Sequence, residues 1–138
     1  MTQYRFLSQP KEKETVDIIE LYRQAGWWER EDDDGQVSAI VAGSHCFLVA
    51  LEGERIIGMG RAISDRASDA YIQDVTVHPS RRGTGIGSEL IRTLIDRLRA
   101  DGIKWIGLIA EKDSSPFYRP FGFREMPSST PMLMKYYG

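Results

Sequence analysis

Cysteine is nearly absent from this chain. A single one, Cys46, excludes an internal disulfide and suits a reducing compartment such as the cytoplasm. Histidine is almost as scarce. His45 and His78 stand alone, with no Cys/His cluster, which argues against a zinc site or any other metal centre. No apolar run reaches the roughly 20 residues of a membrane-spanning helix, so no membrane partner is expected. The opening stretch MTQYRFLSQPKEKE lacks the apolar centre of a secretory signal. Nor is there an excess of charge. Eighteen Lys and Arg against 20 Asp and Glu leave a net charge of −2, which is no basis for general nucleic-acid binding. Repeats and low-complexity tracts are missing as well. What is present is 138 residues, 41% of them hydrophobic, enough for one domain, residues 1–138, around one core.

Residues 71–99 (YIQDVTVHPSRRGTGIGSELIRTLIDRLR) organise the rest. Ile72, Val75 and Val77 among Tyr71 and Thr76 suit a half-buried strand, and Pro79, which cannot donate to a ladder, ends it. Arg81, Arg82 and the alternating Gly83, Gly85 and Gly87 follow. Then Leu90, Ile91, Leu94, Ile95 and Leu98 fall on one face of a helix that stops near Gly102. The first amides of a helix have no intrahelical partner and, with the helix dipole, attract an anion. Glycines let a phosphate approach the backbone and permit positive φ, and the two arginines add charge-assisted donors. The stretch reads as a pyrophosphate cradle; the alternative is a glycine-rich turn with a structural role alone.

The spacing narrows the choice. No lysine stands near these glycines, so this is not G-x-x-x-x-G-K-[ST]. The pattern G-x-G-x-G, followed by IKWIGLI with no acid, does not fit the dinucleotide fingerprint either. What fits is R-x-x-G-x-G at Arg82, Gly85 and Gly87, directly after a strand ending V-x-V-x-P. This resembles the acetyl-CoA-binding motif of the GNAT superfamily of N-acetyltransferases.

The remaining elements follow in order. A short strand is expected over residues 4–7 and a helix over 11–25, with Ile18, Leu21, Tyr22 and Ala25 buried and Gly26 at its end. Trp27 and Trp28 come next, one suited to covering the core and the other to walling a ligand pocket. The acidic run EREDDD, residues 29–34, is either a solvated loop or an electrostatic lure for a cationic amine. A short helix around Val37, Ile40 and Val41 precedes a hairpin of strands over 46–51 and 55–63. There Gly58 and Gly60 permit close approach of another group. After the central helix a buried strand is expected over 105–110. A short aromatic helix should run over 116–120, capped by Ser114 or Ser115, with last strands over 123–126 and 132–136. The fold class is α/β, a mixed, mostly antiparallel central sheet flanked by helices, and it is similar to the GNAT fold along nearly the whole chain.

A second anchor is SPFYRPFGF, residues 115–123, which looks like that family's F/L-Y-x-x-x-G-F segment; LYRQAGW, residues 21–27, resembles its acceptor-side helix more loosely. The resemblance implies acetyl-CoA as acyl donor. It would be held by Val75, Thr76 and Val77 of the strand, by Arg82, Gly83, Thr84, Gly85, Ile86, Gly87 and Ser88 of the cradle, and by Ser115, Phe117 and Tyr118. In many members the tyrosine at the position of Tyr118 protonates the departing thiolate. Its other reading is a packed aromatic, a role that Phe117 and Phe121 fill more simply.

Direct attack of an amine on the thioester in a ternary complex is implied, with a strand amide near Val75 or Val77 receiving the developing oxyanion. The base is poorly marked. Asp74 is the nearest carboxylate, and strand alternation sets it on the face opposite Gln73 and Val75; its other reading is structural. Trp27, Trp28, Tyr71 and Gln73 are the candidate acceptor-side residues, Tyr71 and Gln73 as ligands of an ordered water. Cys46 as acyl carrier stands against a buried strand cysteine. The expected partner is a small-molecule amine, and a homodimer is compatible with the chain. Two functions follow: an N-acetyltransferase acting on a small, cationic primary amine, or a non-catalytic acyl-CoA-binding module with a regulatory or interaction role.

Overall fold

The structure is a computed structural model that describes residues 1–29 and 34–136. The chain divides into two compact units, Met1–Gly107 and Leu108–Gly138. The first contains the sheet. Its strands are β1 (Thr2–Leu7), β2 (Cys46–Glu52), β3 (Arg55–Ser64), β4 (Asp69–Val77) and β5 (Trp105–Gly107). They lie side by side in that order, antiparallel from β1 to β4, with β5 parallel to β4. Helices α1 (Glu12–Gln24) and α2 (Asp34–Gly43) lie between β1 and β2, and α3 (Ile86–Ala100) connects β4 to β5. The mixed, mostly antiparallel sheet is the one the sequence leads one to expect.

Alternation along the strands feeds two faces. On one, Phe47, Val49 and Leu51 of β2 and Ile56 and Met59 of β3 cluster with Ile18, Ile19, Leu21 and Tyr22 of α1 and with Val37 and Val41 of α2. On the other, α3 packs across β2, β3 and β4 through Leu90, Ile91, Leu94 and Leu98, all fully buried. Each such side chain contributes about 1.5–3 kcal/mol by leaving water.

Gly58 and Gly60 permit the close approach foreseen, and the group that approaches is α3. A β-carbon on Gly58 would lie 3.3 Å from Ile86 Cγ2 and from Leu90 Cδ1, and one on Gly60 would lie 2.9 Å from Leu94 Cδ1. Bare backbone at these two positions lets the helix settle against the strand.

Glu14 anchors the start of α1. Its Oε1 accepts the Lys11 N–H at 2.8 Å and its Oε2 accepts Arg5 Nη2 at 2.6 Å. Burial alone would raise its pKa, but the Lys11 amide and the Arg5 guanidinium outweigh it and hold the carboxyl below its ordinary value of 4.5.

Several expectations at the C-terminal end are corrected. β5 covers three residues rather than the six of 105–110, and Trp105 is exposed because β5 is an edge strand. In the second unit, α4 (Ser115–Tyr118) continues into a 3₁₀ turn (Arg119–Phe121) that ends at Gly122, φ 100°. Ser114 stands at the N-cap position but makes no side-chain capping bond. The strands expected over 123–126 and 132–136 are not formed. Met132, Leu133, Met134 and Tyr136 are 81–92% exposed, so alternation there has no buried face to serve. Pro127 and Pro131, which cannot donate to a ladder, flank both ends of the turn between them.

A carboxylate whose pKa is depressed by folding supports stability above its unfolded pKa, and that support is lost as the pH falls through the folded value. The melting temperature should therefore fall on acidification below pH 4.5 more steeply for the wild type than for Glu14→Gln. Thermal melts across that range check this; parallel curves would remove Glu14 from the acid-sensitive groups.

Candidate active site

The glycine-rich turn opens α3. Gly83 and Gly85 take left-handed backbone, φ 79° and 86°, and Gly85 is the N-cap. A β-carbon at either would meet nothing within 4 Å, so what these positions require is the backbone conformation and not relief from crowding. The amides of Ile86, Gly87 and Ser88 fall in the first turn, where helical geometry supplies no acceptor. The Ile86 side chain is buried beneath the sheet-facing side of α3, so the backbone is what it offers outward.

The two arginines diverge. Arg81 is tied to Glu52 by an ion pair, whereas Arg82 is exposed and anchors only its Nε, on Val77 O at 3.1 Å. Thr84 donates its hydroxyl to Arg81 O at 2.7 Å, which closes the turn. Open space, left-handed glycines, helix-start amides and one exposed guanidinium together suit a pyrophosphate.

The strand leading into this turn has an open edge. β5 pairs with β4 only at Asp69, Ala70 and Tyr71, so residues 72–77 have no ladder partner on that side among the described residues. Val75, Thr76 and Val77 are half-buried there. An extended ligand carrying an amide can add to such an edge as a strand would.

A bulge interrupts the same strand. Met59 pairs with Thr76 and Arg61 with Gln73, so Asp74 and Val75 together stand opposite Gly60. Asp74 has φ 57°, a conformation that costs a non-glycine residue on the order of 1–3 kcal/mol. Its Oδ2 accepts Tyr22 Oη and Arg61 Nε, both at 2.7 Å. Arg61 also donates to Gln73 Oε1 at 3.1 Å and to Ser44 Oγ at 3.3 Å. The strict alternation expected from sequence fails here. Gln73 and Asp74 reach the same guanidinium, because the left-handed backbone of Asp74 within the bulge breaks the alternation. Val75 alone turns to the α3 face, its Cγ2 3.1 Å from where a Gly60 β-carbon would sit.

Aromatic rings gather around Tyr22. Trp28 stacks on it, centroids 4.1 Å apart and planes within 8°, and packs on the core. Trp27 meets it edge-on at 6.1 Å and is more exposed. Burial and then the charge of Asp74 push the Tyr22 phenol well above its ordinary range, so it stays a donor. Tyr71 is exposed and meets Trp105 edge-on at 5.1 Å, above Gly107. Of the acidic run, residues 30–33 lie outside the described residues, and only the backbone of Asp34 is described, at the start of α2.

The Cys46 thiol is buried and pushed up to about 11, chiefly by that burial, so it is not a nucleophile at neutral pH. Among the described residues no group of three or more His, Cys, Asp or Glu is placed to hold a metal ion, and no helix is long and apolar enough to cross a membrane.

In the second unit Ser115, Phe117 and Tyr118 sit on α4. Tyr118 is half-buried between Phe117, 4.9 Å away edge-on, and Phe123, 6.0 Å away. Burial, then the charge of Glu111, raises its phenol above 10.0. Sequence reasoning singled out the glycine-rich turn and Tyr118 as candidates but assigned Tyr22 only to the buried face of a helix and did not single out Arg61. The available signal was an arginine inside an otherwise apolar strand.

A turn of this kind, opening a helix beside an unpaired strand edge, sits in a mixed α/β sheet of the acetyltransferase type. The sequence profile of the Acetyltransferase (GNAT) family matches residues 7–123, which run through both units, and the chain belongs to that family. It is an N-acetyltransferase by that membership. Over 133 residues it is 30% identical to the uncharacterized N-acetyltransferase ycf52 of Porphyra purpurea, covering 95% of this chain and 76% of that one. Its fold matches a probable acetyltransferase from meticillin-resistant Staphylococcus aureus with a TM-score of 0.83 at 23% identity, over 99% of this chain and 100% of that one. A predicted acetyltransferase from Clostridium acetobutylicum, described with acetyl-CoA, matches with a TM-score of 0.73 at 19% identity, over 96% of each chain.

Gly85→Asp would add a negative charge at the helix start, where its β-carbon would meet nothing within 4 Å and its left-handed backbone, φ 86°, is strained for any residue but glycine, less so for Asp and Asn than for others. Acetyl-CoA affinity by calorimetry is expected to fall at least roughly tenfold, about 1.4 kcal/mol, with the circular dichroism spectrum unchanged. Unaltered affinity in the folded variant would refute the cradle.

Proposed function

We propose that the protein transfers the acetyl group of acetyl-CoA to the primary amine of a small, cationic acceptor by direct attack within a ternary complex. The observation that carries this reading is the left-handed Gly83–Gly85 turn at the start of α3 beside the open edge of β4. In this reading Arg82 and the amides of residues 83–88 hold the pyrophosphate, and Val75, Thr76 and Val77 take the pantetheine chain and the thioester carbonyl. Ser115, Phe117 and Tyr118 complete donor binding. The amine, as its free base, adds to the carbonyl carbon, the carbon–sulfur bond breaks, Tyr118 gives its proton to the departing thiolate, and the proton lost from nitrogen passes to solvent water, from which Tyr118 is reprotonated. A phenol raised above 10.0 is protonated at neutral pH and suits that task. Holding both reactants together supplies much of the rate.

Trp27 and Trp28 offer aromatic faces to a cation, and Tyr71 and Gln73 lie on the same strand as the reacting edge. The acidic residues that follow the tryptophans in sequence would draw in a cationic amine. Release of thiol from acetyl-CoA against a panel of amines tests the activity; a chain that binds acetyl-CoA and acetylates none of them would be an acyl-CoA-binding module.

Tyr118→Phe is expected to lower kcat by roughly 10²-fold with little change in acetyl-CoA affinity. Wild-type kcat would return Tyr118 to an aromatic packing role. Replacing Asp32, Asp33 and Asp34 with Asn should raise KM for a cationic acceptor and leave KM for acetyl-CoA unchanged. The effect should fade as salt shortens the Debye length from about 30 Å at 0.01 M to about 8 Å at 0.15 M. An acceptor KM that does not move at low salt would make the run a solvated loop.

A further inference from the structure

We infer that Tyr22, Arg61 and Asp74 are positioning residues: together they clamp the β4 bulge so that its amides face the open edge, and Asp74 serves the reaction through this clamp and not by taking the acceptor's proton. The inference rests on the acetyl-transfer reading above and deepens it.

The bulge is where β4 departs from regular pairing, two residues facing the single Gly60. Its left-handed residue is one that glycine fills without cost. An aspartate there brings a side chain that glycine lacks. Its oxygen Oδ2 takes two hydrogen bonds. Tyr22 Oη and Arg61 Nε both donate to Oδ2 at 2.7 Å, one from α1 and the other from β3. Each donor is itself fixed. The Tyr22 ring lies flat against Trp28 at 4.1 Å, and Arg61 reaches Gln73 and Ser44 as well. The Asp74–Arg61 pair is mostly buried, with side chains 22% and 15% exposed.

Val75 is pinned from the opposite face against bare Gly60. Both bulge residues are thereby held, one from each side of the sheet, and the peptide between them has little freedom to turn. Both donors to Asp74 reach the one oxygen Oδ2, from α1 and from β3, and so tie the carboxylate to the two elements that flank the bulge.

Three substitutions separate the roles. Asn keeps an acceptor oxygen and tolerates left-handed backbone, Gly keeps the backbone without the tether, and Ala keeps neither. The clamp predicts kcat in the order Asp74→Asn, near wild type, then Asp74→Gly, then Asp74→Ala, down by roughly 10²-fold as misplaced reacting groups require. The acidic limb of the pH–rate profile should be unchanged in Asp74→Asn. Equal loss in Asn and Ala, with that limb abolished, would make Asp74 the base and overturn the proposal.

Tyr22→Phe keeps the stacking ring and removes one donor, so it serves even where Asp74→Ala does not fold; wild-type kcat in that variant would also overturn the clamp. Amide hydrogen exchange at residues 74–77 reads the bulge without turnover. It should quicken in Asp74→Ala and Tyr22→Phe and stay as in wild type in Asp74→Asn. Exchange that behaves so in a protein acetylating no amine would refute the acetyl-transfer reading and uphold the clamp. Unchanged exchange in both the Ala and Phe variants would refute the clamp itself.

Discussion

The seating of α3 on two bare glycines of β3 is the contact on which the rest depends. Leu94 comes so near Gly60 that a β-carbon there would lie 2.9 Å away. An added methyl group would press on the ends of the Leu94 and Val75 side chains, and a closely packed interior leaves them little slack to move aside. The helix axis sets where its first turn lies, and that turn carries the amides offered to the donor. Gly60 also faces the bulge of β4. The missing side chain thus lets α3 pack closely on β3 and leaves room for the irregularity in the neighbouring strand.

In the proposed function the strand edge and the helix start would act on different parts of one ligand. The helix start deals in charge: unpaired amides, a dipole and the exposed Arg82 meet an anion. The edge deals in direction: free peptide groups meet an extended amide chain. Because β5 is only three residues long, the ladder ends at Tyr71 and the edge remains available as far as Val77. A longer β5 would close it. The shortness of that strand is thus part of what the site needs, and the ring of Trp105 folded over Gly107 covers the last paired position.

The cradle was legible in the sequence because its chemistry is local. Three alternating glycines and an arginine within a few residues can be read without knowing what is near in space. Helix and strand order through residue 107 was legible for the same reason, since hydrophobic period carries it. The clamp was not. Tyr22 and Asp74 are 52 positions apart and Arg61 and Asp74 are 13 apart, and period alone assigns one to a buried helix face and another to a strand. The backbone strain at Asp74 is invisible in a one-dimensional pattern that otherwise favours a plain strand. The strands expected at 123–126 and 132–136 failed for the converse reason: alternation describes a strand only where a partner and a buried face exist.

Cys46 lies on β2 against the core, and burial holds its thiol protonated until about pH 11. The chain has no second cysteine, so the folded protein presents no exposed thiol; the exposed Met132 and Met134 are its ready targets for oxidants. A mixed disulfide at Cys46 would form only if that buried sulfur first became accessible and ionised, and only with a partner that is already a disulfide.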